Sequence, residues 1–230
     1  MKKLTRTNKE WKKFLTKKQY KIMRKNKTEP AFASDNYYNK KKGRYHCIAC
    51  GNLLFLSKHK YDSGTGWPSF TKPVKNENII YGNQSLNKGK EIKCKRCESH
   101  IGHVFNDRPF KKEHKTGTGK RYCINGYALE FISDKEKQAA FGAGCFWHVQ
   151  DVFNRLKGAR KTYAGYMNGD EEQFPSPTYE QIHSQNTGYI ETIYIIYNPE
   201  KISYKKLLKT FWKIHDPTSL NKQGNDIGEQ

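Results

Sequence analysis

Apolar residues in the opening segment recur at helical intervals. Trp11, Phe14 and Leu15 fall on one helical face among lysines. Thr7-Asn8-Lys9-Glu10 and Thr16-Lys17-Lys18-Gln19 each fit the capping box, in which a hydroxyl and a carboxyl or amide group satisfy orphan N–H donors at a helix start. Two short helices are therefore predicted. From Arg44 to Phe131 the texture changes to short β-prone runs, Leu53 to Leu56, Ile79 to Tyr81 and Tyr122 to Phe131, broken by Gly, Asn and Pro. This predicts a mainly-β domain over residues 1–131 with helices at its N-terminus. Ser133 to Gln138 is charged and lacks a large apolar residue, so residues 132–138 read as a linker.

Over residues 139–230 the pattern becomes α/β. Ala139 to Ala143 reads as a small-residue strand running into Gly144-Cys145, after which Phe146, Val149, Phe153 and Leu156 recur at helical intervals. Tyr189 to Tyr197, rich in Ile, Tyr and Thr, reads as a strand. Ser203 is placed to cap a helix from Tyr204 to His215, with Tyr204, Leu207, Leu208, Phe211 and His215 along one stripe. The halves share no repeat and are expected to be different folds.

Charge changes this picture little. The chain carries 43 Lys and Arg against 22 Asp and Glu, a formal net charge of +21. A nucleic acid or an anionic membrane is one partner class for such a chain. The lysines, however, are spread from Lys2 to Lys222, with short runs at Lys40-Lys41-Lys42 and Lys111-Lys112 and no long basic arm. That distribution favours solvated faces. The 12 Phe, 15 Tyr and 4 Trp supply large buriable surfaces and weigh against wholesale disorder. No apolar run is long enough to span a membrane, and the N-terminus lacks the apolar stretch of a secretory signal. A cytoplasmic, reducing location is the default expectation, so the six cysteines read as metal ligands or reactive thiols before disulfides.

Four of them form two doublets, Cys47-x-x-Cys50 and Cys94-x-x-Cys97, each able to give two thiolates to one tetrahedral Zn²⁺. The long stretch between the doublets implies a structural site joining distant segments of the β-domain. Four buried thiols or two redox pairs are the alternatives. His46, beside Cys47, is expected at the surface and not as a ligand.

Cys123 lies in Arg121-Tyr122-Cys123-Ile124-Asn125, which reads as a strand. Alternation places Arg121, Cys123 and Asn125 on one face and Tyr122 and Ile124 in the core. A guanidinium near a thiol favours the thiolate, the nucleophilic form. His100, His103 and Asp107 offer two imidazoles and a carboxylate upstream, and Trp67 an aromatic wall. A small buried cysteine with its histidines satisfied elsewhere is the plainer reading. Cys145 follows Gly142-Ala143-Gly144 at a strand-to-helix turn, where the positive end of a helix favours an anion. Glu191, on the second predicted strand, is taken alone a plain exposed carboxylate.

Three segments carry a specific resemblance. Tyr61 to Phe70 (YDSGTGWPSF), His100 to Asp107 (HIGHVFND) and Arg121 to Asn125 (RYCIN) closely resemble the signature segments of methionine sulfoxide reductase B, in that family's order. The likeness spans about Lys9 to Phe131. It implies Cys123 as nucleophile and Trp67 packing the substrate methyl, with His100, His103, Arg121 and Asn125 shaping and protonating the site and Asp107 in support. Gly126 stands where that family commonly has serine, a departure expected to be minor. In the second half, Gly144-Cys145-Phe146-Trp147, Gly165-Tyr166, Pro177-Thr178-Tyr179, Thr187 to Glu191, His215-Asp216-Pro217 and Gln223 to Asp226 together resemble methionine sulfoxide reductase A. This implies Cys145 as nucleophile, Phe146 and Trp147 as methyl pocket, Glu191 as acid, and Tyr179 and Asp226 assisting. Tyr189 replaces a usual histidine, and His148 and Gln150 stand where Gly and Glu are frequent. That family continues past Gln230 with Tyr-Arg-Ser.

The resemblance therefore implies a zinc-containing, mainly-β B-type domain followed by an incomplete α+β two-layer A-type part. The expected partners are methionine sulfoxide in oxidised proteins and an external thiol such as thioredoxin, because all six cysteines are assigned and none is left to resolve a sulfenic acid. A zinc-ribbon nucleic-acid binder is the rival reading; it leaves Trp67, the histidine pair, Cys123 and Cys145 without a role.

Overall fold

The computed structural model describes residues 2–85, 89–106, 119–174, 177–184, 186–224 and 226–228; of Gln84, Ser85 and Asp226 it describes the backbone. The chain divides into two compact units, Met1–Ser133 and Asp134–Gln230. No helix among the described residues is long and apolar enough to cross a membrane.

The first unit opens with α1 (Asn8–Phe14) and α2 (Lys17–Lys25), and both predicted capping boxes are present, with Thr7 and Glu10, and Thr16 and Gln19, bonded reciprocally. Trp11 and Leu15 are buried as expected. Phe14 is not: α1 ends at this residue, its side chain is 60% exposed, and the Arg6 guanidinium covers its ring at 4.2 Å. A short α3 (Asp35–Tyr38) precedes the strands. These are β1 (Gly43–Cys47), β2 (Leu53–Leu56), β3 (Lys60–Tyr61), β4 (Ser69–Phe70), β5 (Ile79–Ser85), β6 (Gly89–Cys94), β7 (His100–Phe105), β8 (Arg121–Ile124) and β9 (Leu129–Ser133). They form two antiparallel sheets, β2-β1-β9 and β3-β4-β8-β7-β6-β5.

An aromatic core joins the sheets. Phe70 of the larger sheet stacks on Phe55 at 4.4 Å and meets Tyr45 edge-on at 5.1 Å, and all three are fully buried. Truncating so central a ring typically costs about 3–5 kcal/mol. The run predicted from Tyr122 to Phe131 is two strands, β8 and β9, separated by a 3-10 turn at Gly126–Ala128. That turn lets the chain leave one sheet and enter the other.

In the second unit β10 (Lys137–Phe141), β11 (Ala159–Met167) and β12 (Ile190–Tyr197) pair antiparallel in the order β10-β12-β11. The helices are α4 (Phe146–Asn154), α5 (Tyr179–Ser184) and α6 (Tyr204–Ile214), and a two-residue pair, β13 (Lys222–Gln223) with β14 (Asp226–Ile227), follows. Helix α6 starts at the predicted Ser203 cap, whose hydroxyl accepts from Lys206 N. Phe146, Val149 and Phe153 of α4 and Leu207 of α6 bury against Phe141, Ile193 and Ile195 of the sheet, giving two layers of the α+β kind.

Strand pairing extends into the predicted linker at both ends. Ser133 pairs with Gly43, and Lys137 with Tyr197, leaving Asp134 to Glu136 outside strands. A backbone ladder does not require apolar side chains, so polarity alone marks the boundary too widely.

Candidate active sites and metal centre

The residues directly opposite one another across an antiparallel sheet share a face. Across the larger sheet of the first unit, one such row runs Glu91 on β6, His103 on β7, Cys123 on β8, Ser69 on β4 and Tyr61 on β3. On β8 the alternation holds as far as Ile124: Tyr122 and Ile124 are buried, whereas Arg121 and Cys123 are half-buried. Arg121 lies two residues from Cys123, with its guanidinium 4.4 Å over the Phe105 ring.

His100 is 1% exposed, and its Nδ1 lies 2.8 Å from Glu91 Oε1. The imidazole therefore donates from Nδ1, because a carboxylate can only accept, and Nε2 is left as the acceptor. Burial pulls the His100 pKa below its ordinary value, although Glu91 opposes the shift. His100 and His103 meet edge-on at 5.2 Å. Trp67 reaches the same region through its loop: Pro68 O accepts from Ile124 N at 2.9 Å, and the indole Nε1 donates to Glu29 O at 3.0 Å.

One expectation changes here, and one position gains a structural account. Asn125 does not continue the Cys123 face, because β8 ends at Ile124. It is buried, its Oδ1 accepting from Glu29 N at 3.0 Å and its Nδ2 donating to Ile101 O at 3.3 Å. Gly126 has no room for a serine, since a Cβ there would lie 2.2 Å from Ser34 Oγ. Asp107 lies outside the described residues.

The four-cysteine expectation meets a compact cluster. The sulfurs of Cys47, Cys50, Cys94 and Cys97 all lie within 4.8 Å of one another, with Cys50 and Cys94 at 3.5 Å and Cys47 and Cys97 at 3.7 Å. Asn52 Nδ2 donates to Cys94 Sγ at 3.4 Å. Hydrogen bonds to the neighbouring sulfurs, together with burial, push the Cys47 thiol up, while the same set of bonds holds Cys94 down. Four sulfurs so crowded ionise together only if a cation neutralises them, and the cluster has the geometry of a metal site. His46 is not among the four; its Nδ1 lies 2.9 Å from Gly51 O.

In the second unit Gly144 takes a positive φ of 73° and turns the chain so that Cys145, exposed, becomes the N-cap of α4. Phe146 N, in the first turn, donates to Glu191 Oε2 at 3.0 Å. Glu191 is thus no plain surface carboxylate: it is 6% exposed. Its Oε1 accepts from Tyr166 Oη at 3.3 Å and lies 3.6 Å from His183 Nε2. Burial and the Glu191 charge push the Tyr166 pKa well up, so its hydroxyl stays a donor. Phe146 is buried against Tyr166, and Trp147 stands 68% exposed with its ring edge-on to Phe146 at 5.1 Å. Tyr179, 65% exposed, contacts His183, the neighbour of Glu191, at 3.9 Å between ring centroids.

Tyr189, in place of the usual histidine, packs on Gly169 and donates to Phe174 O at 2.9 Å. A cavity of about 180 Å³ lies beside Cys145's neighbour Gly144, bounded also by Ile190, His215, Gln223 and Ile227. Asp226 pairs with Gln223 through its backbone, and its side chain is outside the description.

Sequence reasoning missed Glu29, Glu91 and His183. Glu91 carries a weak signal, a charged residue beside the apolar Ile92 on a strand leading into a cysteine doublet. For Glu29 the chain offers none, because Gly126 and Tyr127 are remote in sequence; His183 carries a weak one, standing one helical turn after Tyr179.

None of the six cysteines is in a disulfide, and Cys123 and Cys145 stand apart from the four-sulfur cluster. Free thiols set apart from a metal-type cluster are the kind that thiol enzymes use. Residues 15–133 match the SelR domain family and residues 137–230 the peptide methionine sulfoxide reductase family. The chain belongs to the SelR family, whose curated members are named peptide methionine sulfoxide reductase MsrB. It is 44% identical over 134 residues to MsrB of Methanosarcina barkeri, covering 57% of this chain and 89% of that protein. It is 45% identical over 131 residues to MsrB of Leptospira interrogans, covering 56% and 95%. The second unit is 51% identical over 92 residues to MsrA of Geobacter metallireducens, covering 40% of this chain and 55% of that protein. The chain thus spans about half the length of this A-type relative. The nucleic-acid reading finds no support in these matches.

Proposed function

We propose that the first unit reduces the R epimer of methionine sulfoxide in oxidised proteins, with Cys123 as nucleophile. The observation that carries this reading is the register that sets His103 directly opposite Cys123 in a SelR-family unit. The Cys123 thiolate attacks the sulfoxide sulfur, the S–O bond breaks, and the oxygen passes to the cysteine sulfur, which becomes a sulfenic acid as methionine leaves. His103 and His100 supply and hold the proton that the oxygen takes. Arg121 supports the thiolate, Trp67 packs the methyl group and Asp107 assists, while Asn125 acts from behind the site by holding the turn that follows Cys123. Two thiol groups of an external reductant, such as the dithiol of thioredoxin, return the sulfenic acid to thiol, become a disulfide and release water. Cys123→Ser should abolish R-epimer turnover with the unit still folded, because serine is near-isosteric but a far weaker nucleophile at neutral pH. Undiminished turnover by that variant refutes the assignment.

The four-cysteine cluster holds one structural Zn²⁺ in this reading. Zinc–thiolate bonds of about 2.3 Å set the edge of a tetrahedron near 3.8 Å, close to the 3.5 and 3.7 Å sulfur separations. Bound there, the ion neutralises the thiolates and ties β1 to β6, with no part in the redox step.

The second unit carries part of the A-type counterpart, which in a complete A-type domain is directed at the S epimer. Cys145 is the nucleophile and Glu191 the proton donor. Phe146 and Trp147 receive the methyl group, and Tyr179 and Asp226 assist. The contacts of Glu191 with Phe146 N and Tyr166 support this reading.

A further inference from the structure

We propose that Glu29 is a positioning residue for the first active site, clamping the Trp67 loop to the end of the strand that carries Cys123. The inference rests on the reading of Cys123 as nucleophile and Trp67 as the wall of its substrate pocket.

Glu29 lies between α2 and α3 and is 3% exposed. A carboxylate in such a place is retained at a cost unless its oxygens are bonded. Both are. Gly126 N donates to Oε1 at 2.7 Å and Tyr127 N to Oε2 at 2.8 Å. These are the opening N–H groups of the 3-10 turn Gly126–Ala128, which Asn125 precedes without capping it through its own side chain. Asn125 Oδ1 accepts instead from Glu29 N at 3.0 Å. The two residues thus close a reciprocal capping arrangement between segments about 97 positions apart. Burial pushes the Glu29 pKa up, and the two backbone donors oppose it.

The third contact makes the clamp functional. Trp67 Nε1 donates to the Glu29 carbonyl at 3.0 Å, so one residue bonds both the indole and the turn that follows Cys123 by three positions. The neighbouring backbone reinforces it. Phe32 N donates to Gly66 O at 2.7 Å, and the approach is so close that a Cβ on Gly66 would come 2.7 Å from Ala31 Cβ. Tyr127 Oη donates to Ala33 O at 2.9 Å. Strand pairing already sets the Trp67 backbone beside Cys123, with Ser69 opposite Cys123 and Pro68 O accepting from Ile124 N at 2.9 Å. The ring's rotation about its own side-chain bonds is left to the indole N–H, and residue 29 holds it. A reacting pair displaced by about 1 Å can lose about 10²-fold in rate.

The test compares Glu29→Gln and Glu29→Asp with the unaltered full chain. Glutamine keeps the shape but has one acceptor for two donors; aspartate keeps the charge but is one methylene short. Five measurements are made: thermal stability, metal content, kcat and KM for R-sulfoxide, the Trp67 emission obtained by difference against Trp67→Phe, and the rate at which iodoacetamide alkylates Cys123, assigned by peptide mass. The expected result is metal content unchanged, kcat/KM lower by about 10- to 100-fold, a red-shifted Trp67 emission and an altered alkylation rate. Glu29→Asp should lie between Glu29→Gln and the unaltered chain. Lower thermal stability with kinetics, emission and alkylation all unchanged would show a merely structural Glu29 and overturn the proposal. If Glu29→Gln does not fold, Glu29→Asp carries the same readouts. If the unaltered chain does not reduce R-sulfoxide, the proposed function fails, while emission and alkylation still decide the clamp.

Discussion

Replacing Gly126 with serine, the residue common at this place in the B-type family, should destabilise the first unit by about 1–3 kcal/mol, the usual cost of overpacking a filled site. The added Cβ would lie 2.2 Å from Ser34 Oγ, 2.5 Å from Ser34 Cβ and 3.2 Å from Glu29 Oε1. Ser34 has little freedom to retreat. It is buried, its Oγ caps α3 by accepting from Asn36 N at 3.2 Å, and Asn36 Nδ2 is bonded to Gly126 O and Leu129 O at 2.9 and 3.0 Å. The converse substitution, Ser34→Gly, removes both clashing atoms and loses only a cap, which glycine replaces at a cost of a few tenths of a kcal/mol. The double variant should therefore recover nearly all the stability, with a coupling of about 1–3 kcal/mol between the two positions. Amide hydrogen exchange over residues 121–133 reads the first unit without interference from the second. In thermal unfolding of a unit this size, each kcal/mol should move Tm by roughly 3–5 °C. A Gly126→Ser chain as stable as the parent, or one that Ser34→Gly fails to rescue, refutes the reasoning.

Other predictions are more direct. Cys94→Ser should lower the zinc content from one ion per chain and lower the first unit's stability, with R-epimer activity lost as a consequence; elemental analysis finding no zinc in active, unaltered protein contradicts the metal assignment. His100, with its pKa lowered by burial, favours the folded state fully above its unfolded pKa of about 6.5 and loses that contribution as pH falls below it. NMR titration should place His100 below 6.5, and lower still in Glu91→Gln, which removes the partner that raises it; a titration at or above 6.5 overturns the environment described. In the second unit, Glu191→Gln should reduce S-epimer turnover by about 10²–10⁴, the range for a general acid, and leave R-epimer turnover unchanged. Equal S-epimer rates in variant and parent would remove Glu191 from that role.

The sequence by itself determined what depends on neighbours within about one turn of chain or on matched motifs. Both capping boxes are local pairs, Thr7 with Glu10 and Thr16 with Gln19, and they form as read. The Ser203 cap and the α4 stripe of Phe146, Val149 and Phe153 follow from the same short-range periodicity. The cysteine doublets announced a cluster, since each turn holds two sulfurs on one side, although sequence could not show the sheets bringing the pairs to within 4.8 Å. The motifs around Cys123 and Cys145 named most of the candidate sites.

Tertiary structure decided the rest, because register and close approach are properties of segments far apart in the chain. Asn125 looked like a continuation of the Cys123 face, but the strand ends one residue earlier and its amide serves Glu29. Phe14 shares a helical face with Trp11, yet the helix ends there and leaves it in solvent under Arg6. Glu191 read as an ordinary strand carboxylate until α4 and β11 closed over it with an N–H and a hydroxyl. At Gly126, Ser34 occupies the space that a serine side chain would need, which no local pattern shows. In each case a side chain's role was set by what a remote segment placed within hydrogen-bond or van der Waals distance, and a linear pattern carries no record of that distance.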